Sequence, residues 1–160
     1  LALCMVLPLL GGNAQQVLNK ISPMHFPVLI CGFICGGPYG MLVGLVAPIL
    51  RSAIFGMPPM VPTALAMAFE MAVYGLCTGV LSRVLPKKIP FVYLTLVIAM
   101  IAGRIVWGLV SIPLYGFAGK TFTWQLFVTN GFVNAVLAIV LQLAIIPTLI
   151  VALRRARVIE

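Results

Sequence analysis

Two side chains in this sequence stand where their chemistry is costly. Glu70 is the one acidic side chain ahead of the C-terminal residue, Glu160, and it lies inside the apolar run Thr63–Leu85. Arg104 lies in the middle of another apolar run, IAMIAGRIVWG at Ile98–Gly108. A carboxylate in hydrocarbon costs several kcal/mol unless it is paired or wetted, so an acid at such a position marks a functional site by default. The chemistry open to these residues is charge recognition. Glu70 and Arg104 can hold each other as a structural ion pair, or they can hold the charge of a ligand. Tyr74 shares a helix face with Glu70 and offers a ring or a hydroxyl. Asn130 and Asn134 are one turn apart and serve interhelical hydrogen bonding or ligand binding equally well. Trp107 can line a pocket, whereas Trp124 suits an outer aromatic belt. His25 suits an interfacial polar position better than a ligand role.

Catalysis finds little support. There is no G-x-x-x-x-G-K-[ST] loop to cradle phosphates. One internal acid and one histidine cannot assemble a zinc or magnesium site. The sequence holds no Asp, so no Ser-His-Asp set is available. Cys31 and Cys35 share a face but have no imidazole or acid beside them, which favours packing over metal binding, and nothing suggests a disulfide. The expectation is a protein that is not an enzyme and uses no metal.

The elements that must position these residues are membrane spans. Hydrophobic residues make up 63% of the chain and charged ones 8%, far too apolar for a soluble domain of 160 residues. The reading is an all-α integral membrane bundle of six transmembrane helices, forming one domain over residues 1–160. Leu1–Leu10 reads as the outer half of a first span whose N-terminal part is missing, closed by the polar GGNAQQVLNKIS at Gly11–Ser22. His25–Cys35 becomes long enough to cross only if its helix starts near Ser22–Pro23; a re-entrant segment is the rival reading. Gly36-Gly37-Pro38 breaks it, and Tyr39–Phe55, Thr63–Leu85, Phe91–Tyr115 and Trp124–Leu153 follow. A Pro-rich hairpin, Phe55–Pro62, joins the third and fourth runs, with Arg51 near the turn. Gly32, Gly36, Gly40 and Gly44 recur every four residues, the pattern of close helix contact.

Charge sets the orientation. Arg83, Lys87 and Lys88 sit at one junction, and Arg154, Arg155 and Arg157 crowd the tail. The positive-inside rule then places both termini in the cytoplasm and turns the Phe55–Pro62 hairpin outward. The net charge of +8 follows loops and tail rather than one soluble face, so no nucleic-acid partner is expected.

The run HFPVLICGFICGGPYGMLVGLVAPILRSAIFGMPPMVPTALAMAFEMAVYG, followed by KK, AGRIVWG and a TWQ…N…N helix, resembles the substrate-binding S components of energy-coupling-factor (ECF) transporters. The resemblance spans nearly the whole chain. It implies high-affinity capture of a B-vitamin or vitamin precursor at the outer face of a prokaryotic plasma membrane. It also implies partners: a coupling membrane subunit and two ATPase subunits, which use the ATP, so that this chain itself carries no cofactor. The family's site, among the fourth to sixth spans and the loops after the first, third and fifth, maps to Glu70, Tyr74, Arg104, Trp107, Asn130 and Asn134. Arg51 joins them near the hairpin, with Asn13, Gln15, Gln16, Met57 and Met60 in the candidate gating loops.

Two arginines against one glutamate in the outer half lean toward a ligand with a carboxylate, such as pantothenate or nicotinate, because Arg matches carboxylate oxygens. Thiamine or a pyrimidine precursor would suit Glu70 better. A self-sufficient channel or facilitator is the alternative from another class, although neither an inverted repeat nor a discontinuous helix pair is evident.

Overall fold

The computed structural model describes residues 1–7, 9 and 23–157. Among them the chain forms helices and no strands. In order these are α1 (Ala2–Val6), α2 (His25–Cys35), α3 (Gly37–Phe55), α4 (Leu65–Val84), α5 (Ile89–Phe117), α6 (Trp124–Val128) and α7 (Val136–Arg155). Widened, π-type turns at Met60–Ala64 and Thr129–Val133 lead into α4 and separate α6 from α7.

Among the described residues four segments are long and apolar enough to cross a membrane: Gly37–Phe55, Met60–Val84, Ile89–Phe117 and Trp124–Arg155. The first two of the six expected spans thus rest on α1 and α2, and neither has full length in the described residues. With 11 residues α2 reaches roughly 16 Å at 1.5 Å per residue. It does not start at Ser22–Pro23. Pro23 and Met24 form a turn and the helix begins at His25. Gly36 ends it at φ 97° and ψ 172°, a conformation essentially confined to glycine, and Pro38 then opens α3 in its first turn. Another glycine in the left-handed region, Gly56 at φ 68°, caps α3 at the hairpin. The final run also departs from expectation. It is not one continuous helix, because Thr129–Val133 interrupts it beside Asn130 and Asn134.

The bundle is arranged around α4, which packs against α2, α3 and α5. More than half of its span is buried (56%), against 28–33% for the others, whose remaining faces are apolar and exposed. On α5 the outward stripe is Ile101, Ile105, Leu109 and Ile112. Such a stripe is stable only against lipid or another protein. Small residues allow the close approach to α4. A Cβ on Gly40 would come 2.7 Å from the Gly75 carbonyl oxygen and 2.8 Å from the Gly32 Cα, and one on Gly44 would strike the Met71 backbone. The four-residue glycine spacing therefore does what close helix contact requires. Two apolar clusters flank α4: Tyr74 with Leu29, Leu96, Ile146 and Ile150 on one side, Met71 with Cys4, Val28 and Ala47 on the other.

The basic groups meet at one end. Arg154 Nη1 donates to the Lys87 carbonyl at 2.9 Å, and Arg83 Nη2 to the Cys35 carbonyl at 3.5 Å. The junction and tail arginines thus belong to the same end of the bundle.

Candidate functional site

Glu70 and Tyr74 project from successive turns of α4, and Arg104 from the facing side of α5. The Glu70 side chain is 2% exposed and that of Arg104 12%. Arg104 Nη1 lies 2.9 Å from Glu70 Oε1, and the Tyr74 hydroxyl donates to the same oxygen at 2.8 Å. The neighbour of Arg104 makes this fit possible: any Cβ on Gly103 would strike the Tyr74 ring. The carboxylate is thereby held by a guanidinium and a phenol, the arrangement that a buried charge requires.

His25 completes this layer. It is buried at the start of α2, its Nε2 lies 3.9 Å from Glu70 Oε1, and its ring is tilted against Tyr74 at a 5.3 Å centroid separation. This burial departs from the interfacial position that the sequence suggests for His25. The signal that could have found it was electrostatic: the chain has one histidine and one interior acid, and both lie in apolar surroundings.

Trp107, buried on α5, belongs to an aromatic group. It meets Phe122 edge-on at 5.6 Å and stacks with Phe127 at 6.0 Å, and Phe127 stacks in turn with Trp124 at 5.2 Å. Gly108 leaves room for the Phe127 ring. Beside this group an apolar cleft of about 380 Å³ is lined by Ile105, Gly108, Leu109, Ile112, Phe122, Trp124 and Phe127. That volume lies in the range of small-molecule sites, but the lining supplies no charge. Phe122 and Phe127 were not singled out from the sequence, because aromatic residues near a helix end look alike until the loop is folded.

The remaining candidates stand apart from the Glu70 layer. Asn134 Nδ2 donates to Asn130 Oδ1 at 3.1 Å, so these two satisfy each other on the Thr129–Val133 turn. Arg51 is 7% exposed near the end of α3, with its guanidinium 5.7 Å from the centre of the Phe55 ring. Its Nη1, like Arg104 Nε, is buried with no hydrogen-bond acceptor among the described residues. Met57 (63% exposed) and Met60 stand out on the hairpin. Asn13, Gln15 and Gln16 lie outside the described residues.

The long apolar helices and glycine-mediated packing are those of a membrane bundle, with one charged layer buried inside it. The family model for the ECF transporter, substrate-specific component, matches residues 1–151. The chain belongs to that family. The ECF substrate-specific component is a membrane-embedded transporter subunit, not an enzyme, and its role is to select a small-molecule substrate. Comparison with curated proteins and with solved structures yields no match.

Proposed function

We propose that this ECF component binds a B-vitamin or vitamin precursor with high affinity in the outer half of a prokaryotic plasma membrane. Both termini then lie on the cytoplasmic side, and the six-span bundle is one domain. Uptake is driven by a coupling membrane subunit and two ATPase subunits, and the chain itself needs no cofactor. The ligand carries a carboxylate, as pantothenate and nicotinate do. Its site lies among Glu70, Tyr74, Arg104, Trp107, Asn130, Asn134 and Arg51, with the Phe55–Pro62 hairpin above.

The observation that carries this reading is the buried Glu70–Arg104–Tyr74 layer, together with the surplus of positive charge left once Glu70 has been matched. An ion pair buried at such cost in a chain with two acids is the membrane pattern of a substrate site. Glu70 is already occupied by two donors, which favours an anionic over a cationic ligand.

Reconstitution tests it. In liposomes the purified chain alone binds pantothenate or nicotinate without concentrating it, whether or not ATP is present. With the coupling subunit and both ATPases, uptake becomes concentrative and ATP-dependent. Concentrative uptake by the lone chain would overturn the partner-dependent reading.

A further inference from the structure

Six cations gather at one end of the bundle. Arg83 stands at the end of α4, Lys87 and Lys88 lie in the link to α5, and Arg154, Arg155 and Arg157 close α7. Among the described residues the one acid is Glu70, which is paired with Arg104 roughly 20 Å away along α4. Glu160 is the one other acid of the chain, so cations far outnumber acids at this end.

Two of these cations are fixed by backbone rather than by acid. Arg154 Nη1 donates to the Lys87 carbonyl at 2.9 Å, which ties α7 to the link between α4 and α5. Arg83 Nη2 donates to the Cys35 carbonyl at 3.5 Å, and its guanidinium lies where any Cβ on Gly36 would strike it. A carbonyl orients a guanidinium without cancelling its charge. Arg154 also has a buried Nε with no hydrogen-bond partner among the described residues. Positive charge is thus held in place here and left unneutralised, which is costly beside hydrocarbon and favourable beside an anion.

Arg154 borders a small recess between the helices, lined also by Phe33 of α2, Ser82 and Leu85 at the end of α4, Pro86, and Phe91 of α5. From Phe91 the outward face of α5 continues through Leu94, Ile98 and Ile101, all exposed and at helical spacing. Phe91 to Ile101 covers roughly 15 Å at 1.5 Å per residue, about the hydrocarbon depth of one leaflet. Unneutralised charge at the head of an apolar track one leaflet deep has the form of a phospholipid site, and basic pockets between spans take acidic headgroups.

We propose that this end binds one anionic glycerophospholipid, with its phosphate on Arg154, Lys87 and Lys88 and an acyl chain along Phe91, Leu94, Ile98 and Ile101. Charge selects the acidic headgroup over a zwitterionic one, since both carry the phosphate and only the second carries its own cation. Lipid binding is measured without any vitamin, so it stands or falls apart from the reading of the substrate site.

The test titrates phosphatidylglycerol or phosphatidylcholine into the full chain in neutral detergent and counts bound lipid by native mass spectrometry. The wild-type chain binds phosphatidylglycerol at least about fivefold more tightly than phosphatidylcholine. Lys87→Gln and Lys88→Gln, at exposed positions that leave the fold intact, each weaken phosphatidylglycerol about fivefold. Arg154→Gln weakens it at least as much; should that variant misfold, the two lysine variants carry the test. Lys120→Gln, at the opposite end of α5, changes the affinity less than twofold. Equal binding of the two lipids by the wild-type chain would overturn the proposal. So would an equal loss in Lys120→Gln, which would mean diffuse charge attraction, or displacement of the lipid by equimolar inorganic phosphate, which would mean a free-anion site. Lysine variants that keep full lipid affinity but no longer co-purify with the coupling and ATPase subunits would overturn it too, making this end a protein-docking surface.

Discussion

Breaking the Glu70–Arg104 pair should damage the fold more than it damages ligand recognition. The Glu70 carboxylate is 2% exposed and takes two short contacts, from Arg104 at 2.9 Å and from Tyr74 at 2.8 Å. Arg104→Ala leaves that charge buried with one strong donor. Stranding one member of a buried pair costs about 3–5 kcal/mol. For a chain of this length each kcal/mol shifts the melting temperature by about 2–4 °C, so a fall of roughly 6–20 °C is expected. Glu70→Gln in the same chain removes the stranded charge and restores part of the loss, a coupling of about 1–3 kcal/mol. Arg104→Lys is mild, since the recorded contact uses a single guanidinium nitrogen, which an ammonium can replace. The assay is a double-mutant cycle in detergent or nanodiscs, with melting temperature and ligand affinity scored separately. Additive stability losses would refute the pairing argument. A large affinity loss in Arg104→Lys, with melting unchanged, would place Arg104 on the ligand instead.

Other consequences are as specific. Tyr74→Phe keeps the ring against Gly103 but removes the donation to Glu70, and chemical or thermal unfolding should show a loss of about 1–3 kcal/mol; unchanged stability would show that the bond contributes nothing. Gly75→Ala drives a Cβ into the Gly40 backbone and should cost about 1–3 kcal/mol, whereas Gly116→Ala, which meets open space, should be nearly neutral in the same melt. Exposed Met57 and Met60 on a proline-stiffened hairpin can fold over an apolar ligand surface. Bound ligand should therefore slow amide exchange at Gly56, Met57 and Met60. Equal exchange with and without ligand would make the hairpin a plain connector.

What the sequence revealed is what short-range physics controls. The cost of an acid in hydrocarbon marked Glu70, and Arg104 was the one interior cation able to reach it from a later span. The i, i+4 spacing put Tyr74 on the same face, and the glycine period announced close helix contact without naming α4 as the partner. The hairpin and its arginine followed from the proline cluster. Other features needed the folded chain. His25 enters the Glu70 layer because α2 is short and starts after a turn at Pro23–Met24, which hydropathy alone does not reveal. The break at Thr129–Val133 lies inside a run that is apolar enough to continue, so only its asparagines hinted at it.

If this membrane bundle holds one small acidic molecule, native mass spectrometry of the gently purified chain detects it bound. The spectrum should show a population heavier than the polypeptide by the mass of one vitamin-sized compound, released on activation and ionising as a carboxylic acid. That population should disappear in Arg51→Gln. A chain that stays at its bare mass after incubation with pantothenate and nicotinate, or that releases a neutral or cationic compound, would contradict it.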